Sequence, residues 1–327
     1  MRPELGFHGS HEQLPPSTLL AHAKRAAEAG FAHAMCSDHF HPWSERQGHS
    51  GFAWSWLAAA LEATSMSFGT VCAPGQRYHP AVIAQAAATL ADMYPGRFWC
   101  AVGSGEALNE AVTGGGWPEK DARHERLRAC VGVMRGLWAG ETVTCTGPVT
   151  VHEARLYSRP AEPPPIIGAA LSSETARWLA PWVDGLVTVA GPRQSMLEIV
   201  DAFRQNGGDG KPVFLQVPLS MAPTDAEARA AAVEQWRQAA LPPALLADLR
   251  TPEAFDAHTQ SVRDEDILAR VRASASIEQH LAWLEDDATV GFDRIYLHNV
   301  ARDHQERFID ACGEVLLPTW RATSAAR

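Results

Sequence analysis

Eight short apolar runs, each followed by a stretch with helical spacing, constrain this chain more than any other feature. They span 5–10, 31–36, 66–72, 98–102, 166–170, 186–189, 213–218 and 294–298. Continuous apolar runs mark strands buried on both faces, whereas apolar residues three and four apart mark helices packed on such a sheet. The stretch 122–138 shows the second pattern, with Leu127, Val131, Met134 and Leu137 on one face. Strict alternation builds a parallel sheet. Eight units in 327 residues predict an α/β fold of the (β/α)8 barrel type, which takes roughly 250 residues before insertions. Composition does not shift along the chain, so 1–327 reads as one domain. Two insertions are expected: near 141–165, where residues alternate around Gly147-Pro148 as in a β-hairpin, and near 241–275, where Pro242, Pro243 and Pro252 suggest an irregular course.

A formal charge of -10 with no Lys/Arg block argues against a nucleic-acid partner, since phosphate binding needs clustered cations. No stretch is long and apolar enough to span a bilayer, and Met1-Arg2-Pro3-Glu4 runs straight into the first strand. A cytoplasmic enzyme with a small-molecule substrate is expected. The six cysteines lie far apart without paired spacing, which predicts buried free thiols rather than a zinc knuckle or a dithiol motif.

On a barrel the carboxyl ends of the strands carry the chemistry. The second strand ends in Ser37-Asp38-His39-Phe40-His41-Pro42-Trp43. A histidine there can exchange a proton with a substrate near neutral pH, and Asp38 can fix its tautomer; the plainer reading is that Asp38 caps the loop. The fourth strand ends in Gly103-Ser104-Gly105-Glu106. Small residues before Glu106 let a flat ligand approach, and a partly desolvated carboxyl can act as general acid or base. The competing reading is a glutamate favoured by a helix dipole. This Gly-x-Gly lacks the third glycine of a dinucleotide fingerprint. After the fifth strand, Ser172, Ser173 and Thr175 offer an anion pocket at a helix start, with N-capping as the alternative. His39-x-His41 also suggests a metal-dependent barrel hydrolase. That chemistry needs further histidines at the ends of strands five and six, where this chain has Ala170-Leu171-Ser172 and Ala190-Gly191-Pro192.

Taken together, Ser37–Trp43, Gln47-Gly48-His49, Tyr78–Gln85, Tyr94-Pro95-Gly96-Arg97 and Gly103–Glu110 resemble the luciferase-like flavin oxidoreductases, and within them the deazaflavin-dependent glucose-6-phosphate dehydrogenases. The resemblance covers nearly the whole chain and is most specific between residues 31 and 140. It implies a (β/α)8 barrel with a flavin or deazaflavin in its mouth and a dimeric assembly. It also implies that His39 contacts the reacting face, that Trp43 stabilises the reacting complex, and that Glu106 exchanges a proton. Asp38, Gly105 and Asn109 then fall among the cofactor-binding positions. Val71-Cys72 matches the place where the family carries a non-proline cis peptide that backs the ring.

Two departures qualify the resemblance. The sugar-phosphate enzymes grip phosphate with two lysines and an arginine from later strands; here the lysine positions fall near Pro192 and Leu245, with Arg193 or Arg270 as stand-ins. Each lost charge-assisted hydrogen bond is worth about 1.5–3 kcal/mol, so glucose 6-phosphate is not the expected substrate. A Gly-Gly pair in those enzymes becomes Leu171-Ser172-Ser173 here, and hydroxyls there resemble the phosphate grip of FMN-using relatives. The expectation is therefore hydride transfer between FMN and a small alcohol or carbonyl compound. F420 is the alternative cofactor and a flavin monooxygenase the alternative reaction.

Overall fold

The protein is described from a computed structural model, covering residues 2–325. The first four strands are β1 (Glu4–Gly9), β2 (His33–Cys36), β3 (Ser67–Cys72) and β4 (Phe98–Val102). A short antiparallel hairpin follows, formed by β5 (Val143–Cys145) and β6 (Val151–Ala154). The chain then returns to the barrel with β7 (Ile166–Ala169), β8 (Gly185–Val189), β9 (Val213–Ser220) and β11 (Arg294–Asn299); the two-residue β10 (Arg272–Ala273) extends the sheet beside the end of β9. The sheet runs β9-β11-β1-β2-β3-β4-β7-β8, and β8 pairs back to β9. Every one of these eight pairings is parallel. This is the closed (β/α)8 barrel that the alternation predicts.

Alternation along each strand divides the core in two. Met35, Trp99, Ala101, Ile167, Val187, Phe214 and Tyr296 fill the barrel interior, while the other faces pack against the helical ring. The interior aromatics fit only because their neighbours have no side chain. A Cβ at Gly6 would run into the Tyr296 ring, and one at Gly69 into the Trp99 indole. Glycine weakens a strand by itself, so these two positions exchange strand propensity for aromatic burial.

The first helix starts at Pro16 with no side-chain cap, although Ser17 is the residue type that would supply one. The stretch beyond 241 is not irregular: it forms helices Pro243–Asp248, Pro252–Thr259 and Asp264–Leu268. Pro243 and Pro252 sit in the first turns of their helices, where a missing N–H leaves no hydrogen bond unmade. Thr251 adds a cap, accepting from Ala254 N. The prolines that suggested an irregular course are start signals.

Candidate active site

His39 is the centre of the site. It follows β2 directly, and its imidazole lies between two carboxylates: Nδ1 is 3.2 Å from Glu12 Oε1, and Nε2 is 3.8 Å from Glu106 Oε2. Its ring also meets Trp43 edge-on at 4.9 Å between centroids. Glu12 follows β1 and is buried, with its second oxygen accepting from the Ser10 and Ser37 hydroxyls at 2.7 and 2.6 Å. Burial alone would raise the Glu12 carboxyl. The imidazole facing it and the two hydroxyls outweigh burial and bring it below its ordinary value. A Glu12 carboxylate beside Nδ1 favours the tautomer that carries its proton on that nitrogen, with Nε2 turned toward Glu106.

Glu106 precedes the short helix Ala107–Glu110, and its side chain is 35% exposed, open to the mouth. Asn109, one turn on, donates to Glu106 Oε2 at 3.2 Å and accepts from the backbone N–H of Phe40 and His41 at 2.9 and 3.3 Å. One amide thus locks the β2 and β4 loops together. Trp43 is held through its backbone N–H, which donates to Gln47 Oε1 at 2.9 Å. His41 takes a different partner from His39, with Nδ1 2.9 Å from Leu108 O.

Asp38 does not serve His39, contrary to the expectation from sequence. In extended chain neighbouring side chains point opposite ways. Asp38 is instead fully buried behind the loop, where it accepts from Tyr78 OH at 2.8 Å and lies 3.4 Å from Arg77 Nη1. Arg77 also donates to Asp38 O at 2.7 Å, and its backbone N–H donates to Glu110 Oε2 at 2.7 Å. Burial raises both Asp38 and Glu110 even though Arg77 opposes the shift in each. Asp38 is a structural counter-ion with no surface to offer a ligand.

Val71-Cys72 differs from expectation too. No cis peptide occurs among the described residues; Val71 and Cys72 continue β3 in register with Ala101 and Val102. Val71 faces the barrel interior, while the Cys72 thiol is buried 3.6 Å from that of Cys100. Gly105 adopts φ +80°, and a Cβ there would lie 2.8 Å from Glu110 Cγ, so glycine is required for the turn itself. Ser172 caps the helix Ser173–Leu179: its Oγ accepts from Thr175 N at 3.2 Å and donates to Thr175 Oγ1 at 3.1 Å. Local capping thus uses the Ser172 hydroxyl as both donor and acceptor, whereas the Thr175 hydroxyl only accepts.

Sequence reasoning missed the floor of the mouth. His8 on β1, Gln216 on β9 and His298 on β11 meet inside the barrel, the Gln216 amide nitrogen standing 3.4 Å from a nitrogen of each imidazole. His298 Nε2 contacts Gln13 Oε1 at 2.9 Å. Burial pushes His8 down to about 4 and His298 well below its ordinary value. The signal lay in the strands: each of these residues interrupts an otherwise apolar run. On the opposite side the ends of three neighbouring strands carry small groups, Gly103 after β4, Ala169 at the end of β7 with Ala170 after it, and Ala190 and Gly191 after β8. A Cβ at Gly103 would meet only Ala169 within 4 Å, and one at Gly191 would meet nothing. Leu171 and Val189 stand exposed beside them. This is a flat, apolar shelf next to an acid–base pair, a seat suited to a planar ring. A surface cleft of about 780 Å3 elsewhere, between residues 229–237 and 256–268, contains none of His39, Trp43 or Glu106, and its Arg46 and Asp256 are paired at 2.7 Å.

A family model described as luciferase-like monooxygenase matches residues 3–294. The chain belongs to the luciferase-like family. Within that family it is 34% identical, across 97% of its length and 99% of the relative's, to the F420-dependent glucose-6-phosphate dehydrogenase of Intrasporangium calvum. It is 37% identical to the F420-dependent hydroxymycolic acid dehydrogenase of Mycobacterium tuberculosis, over 70% of this chain and 65% of that one. Among solved structures, an F420-dependent secondary alcohol dehydrogenase in complex with an F420–acetone adduct superposes with a TM-score of 0.87 at 30% identity, covering 96% of this chain and 98% of that one. The protein is a flavin- or deazaflavin-dependent oxidoreductase of the luciferase-like family. The FMN expected from the sequence gains no support from these relatives, which are named for F420. Among the described residues no helix is long and apolar enough to cross a membrane.

Proposed function

We propose that this protein is an F420-dependent dehydrogenase that interconverts an uncharged secondary alcohol and its ketone. The observation that carries the reading is the His39 imidazole, braced by a buried anion at Nδ1 and free at Nε2 on the side of Glu106 and Trp43. F420 displaces FMN as first choice because the relatives described above, at 30% identity or more, are named for it.

When bound, F420 supplies a two-electron hydride acceptor. The shelf of Gly103, Ala169 and Gly191 would carry its ring, with Val71, Gly105 and Asn109 at the near edge. Ser173 and Thr175 are left as the hydroxyls for its phosphate, since Ser172 already caps its own helix. His39 Nε2 takes the hydroxyl proton of the alcohol as the carbinol C–H bond is lost. Glu12 holds the ring's tautomer and stabilises the imidazolium that results. Glu106, open to solvent on one side and hydrogen-bonded to Asn109 on the other, moves a proton between the mouth and bulk water. Trp43 covers the reacting carbon and excludes water.

Charge argues against a phosphorylated sugar. Arg193 is engaged with the Asp286 carbonyl and carboxylate at 3.1 and 3.5 Å, and Leu245 lies in an apolar cluster. On the family's pattern we take the protein to be a cytoplasmic homodimer, which fractionation and sedimentation check. The deciding experiment is side-by-side spectral titration with F420 and FMN, followed by bleaching of the F420 absorbance on adding 2-propanol or glucose 6-phosphate. Binding of FMN alone would overturn the cofactor assignment. Reduction by the sugar phosphate but not the alcohol would overturn the substrate.

A further inference from the structure

The segment after β9 builds an apolar wall that reaches the His39 site through Trp43. Leu108, Leu241 and Phe255 form a buried cluster, and Trp43, Leu245, Leu246, Leu249 and Val262 pack on it while each keeps part of its surface in water. Trp43 is the hinge between this wall and the chemistry, since one edge meets His39 at 4.9 Å and another meets Phe255 at 5.3 Å. The helix Pro243–Asp248 also packs on Ala107–Glu110, the turn that carries Glu106 forward. The wall is thus continuous with both acid–base groups.

Its charges are committed elsewhere. Arg46 pairs with Asp256 at 2.7 Å, Arg263 with Asp266 at 2.7 Å, and Arg237 donates to the Thr259 and Val262 carbonyls at 3.2 and 2.9 Å. Asp248 accepts from Trp117 Nε1 at 3.0 Å. Asp248 also lies 4.0 Å from Arg123, so the charges at the rim are largely paired and the surface left over is mostly apolar, with little to grip a phosphate or a polyhydroxylated chain.

We propose that the wall formed by Leu245, Leu246 and Leu249 is the specificity element of the site and takes the aliphatic chain of a hydrophobic secondary alcohol whose carbinol carbon lies beside Trp43. The inference rests on the dehydrogenase reading and names its substrate class. A chain that leaves water along this wall gains affinity with each carbon. About 0.8 kcal/mol per buried methylene corresponds to a roughly fourfold rise in kcat/KM per carbon.

The test is kcat/KM of the F420-loaded enzyme across 2-propanol, 2-butanol, 2-hexanol and 2-octanol, with glucose 6-phosphate alongside. The expected result is a steep rise with chain length that levels once the wall is covered. Leu249→Ser and Leu246→Ser should flatten the rise, lowering the long-chain values toward the short-chain ones. F420 fluorescence titration on each variant shows whether the site is still folded. A flat chain-length profile with F420 bound overturns the inference and leaves the dehydrogenase reading standing, as do serine variants that bind F420 and keep the wild-type slope. No F420 binding by the wild type overturns both.

Discussion

The two halves of the barrel mouth are built on opposite principles. The half fed by β1 to β4 is dense in ionisable groups, each tied to another: Glu12 to Ser10, Ser37 and His39, Asp38 to Arg77 and Tyr78, Glu110 to Arg77, and Glu106 to Asn109. The half fed by β7 and β8 ends in alanine, glycine and exposed leucine and valine, with one local cap at Ser172. The contrast separates two tasks. Proton transfer needs groups fixed in position and charge state, which a hydrogen-bonded network supplies. Seating a flat ring needs open, apolar surface, and polar networks there would be desolvated for nothing.

The largest effect should come from loosening the rigid half. Arg77→Met leaves Asp38 and Glu110 buried without their cation. Breaking a buried pair in this way costs about 3–5 kcal/mol, so chemical denaturation should show a loss of that size; a loss under about 1 kcal/mol would mean the network does not hold this half together. Next comes chemistry. Glu106→Gln should cut turnover at least tenfold, in line with the usual worth of about 10² to 10⁴ for acid–base catalysis, while F420 affinity measured by fluorescence stays as in wild type. Unchanged turnover would remove Glu106 from the proton path.

The seam between the halves gives a smaller, pH-dependent effect. His8 is buried neutral with its pKa lowered to about 4, against about 6.5 in the unfolded chain. Between those values the unfolded state binds the proton and the folded state does not, so stability falls as pH drops from 6.5 toward 4. From pH 6.5 to 5 this one group should remove about 2 kcal/mol. Thermal unfolding of wild type and His8→Gln over that range checks it: the variant should lose less, and parallel curves would show that the seam does not titrate. Smallest is the open half. Ser172→Ala should cost about 1 kcal/mol as a lost cap, with F420 affinity little changed, whereas Ser173→Ala with Thr175→Ala should weaken it. A large affinity loss from Ser172→Ala alone would blur the division between the halves.

Sequence alone singled out His39, Trp43, Glu106 and Asn109, which the structure brings together, because they lie in contiguous motifs whose context is local. It paired them wrongly. Asp38 looked like the partner of His39 because it is adjacent, whereas Glu12 holds that imidazole from the neighbouring strand's loop, 27 positions earlier in the chain. The His8, Gln216 and His298 floor was invisible as a unit because β1, β9 and β11 lie far apart in the chain and become neighbours only when the barrel closes. The prolines of 242–252 were readable as helix starts, and the cap at Thr251 was the clue that settles it.

The order and kind of the elements were thus written into the sequence, since apolar periodicity is set by residues a few positions apart and reports directly which faces must leave water. Which carboxylate faces the His39 ring, which arginine is occupied, and which leucines pack beside Trp43 were decided only by tertiary structure. Those contacts join segments from tens to hundreds of residues apart, and closing the barrel brings them together whatever their separation along the chain.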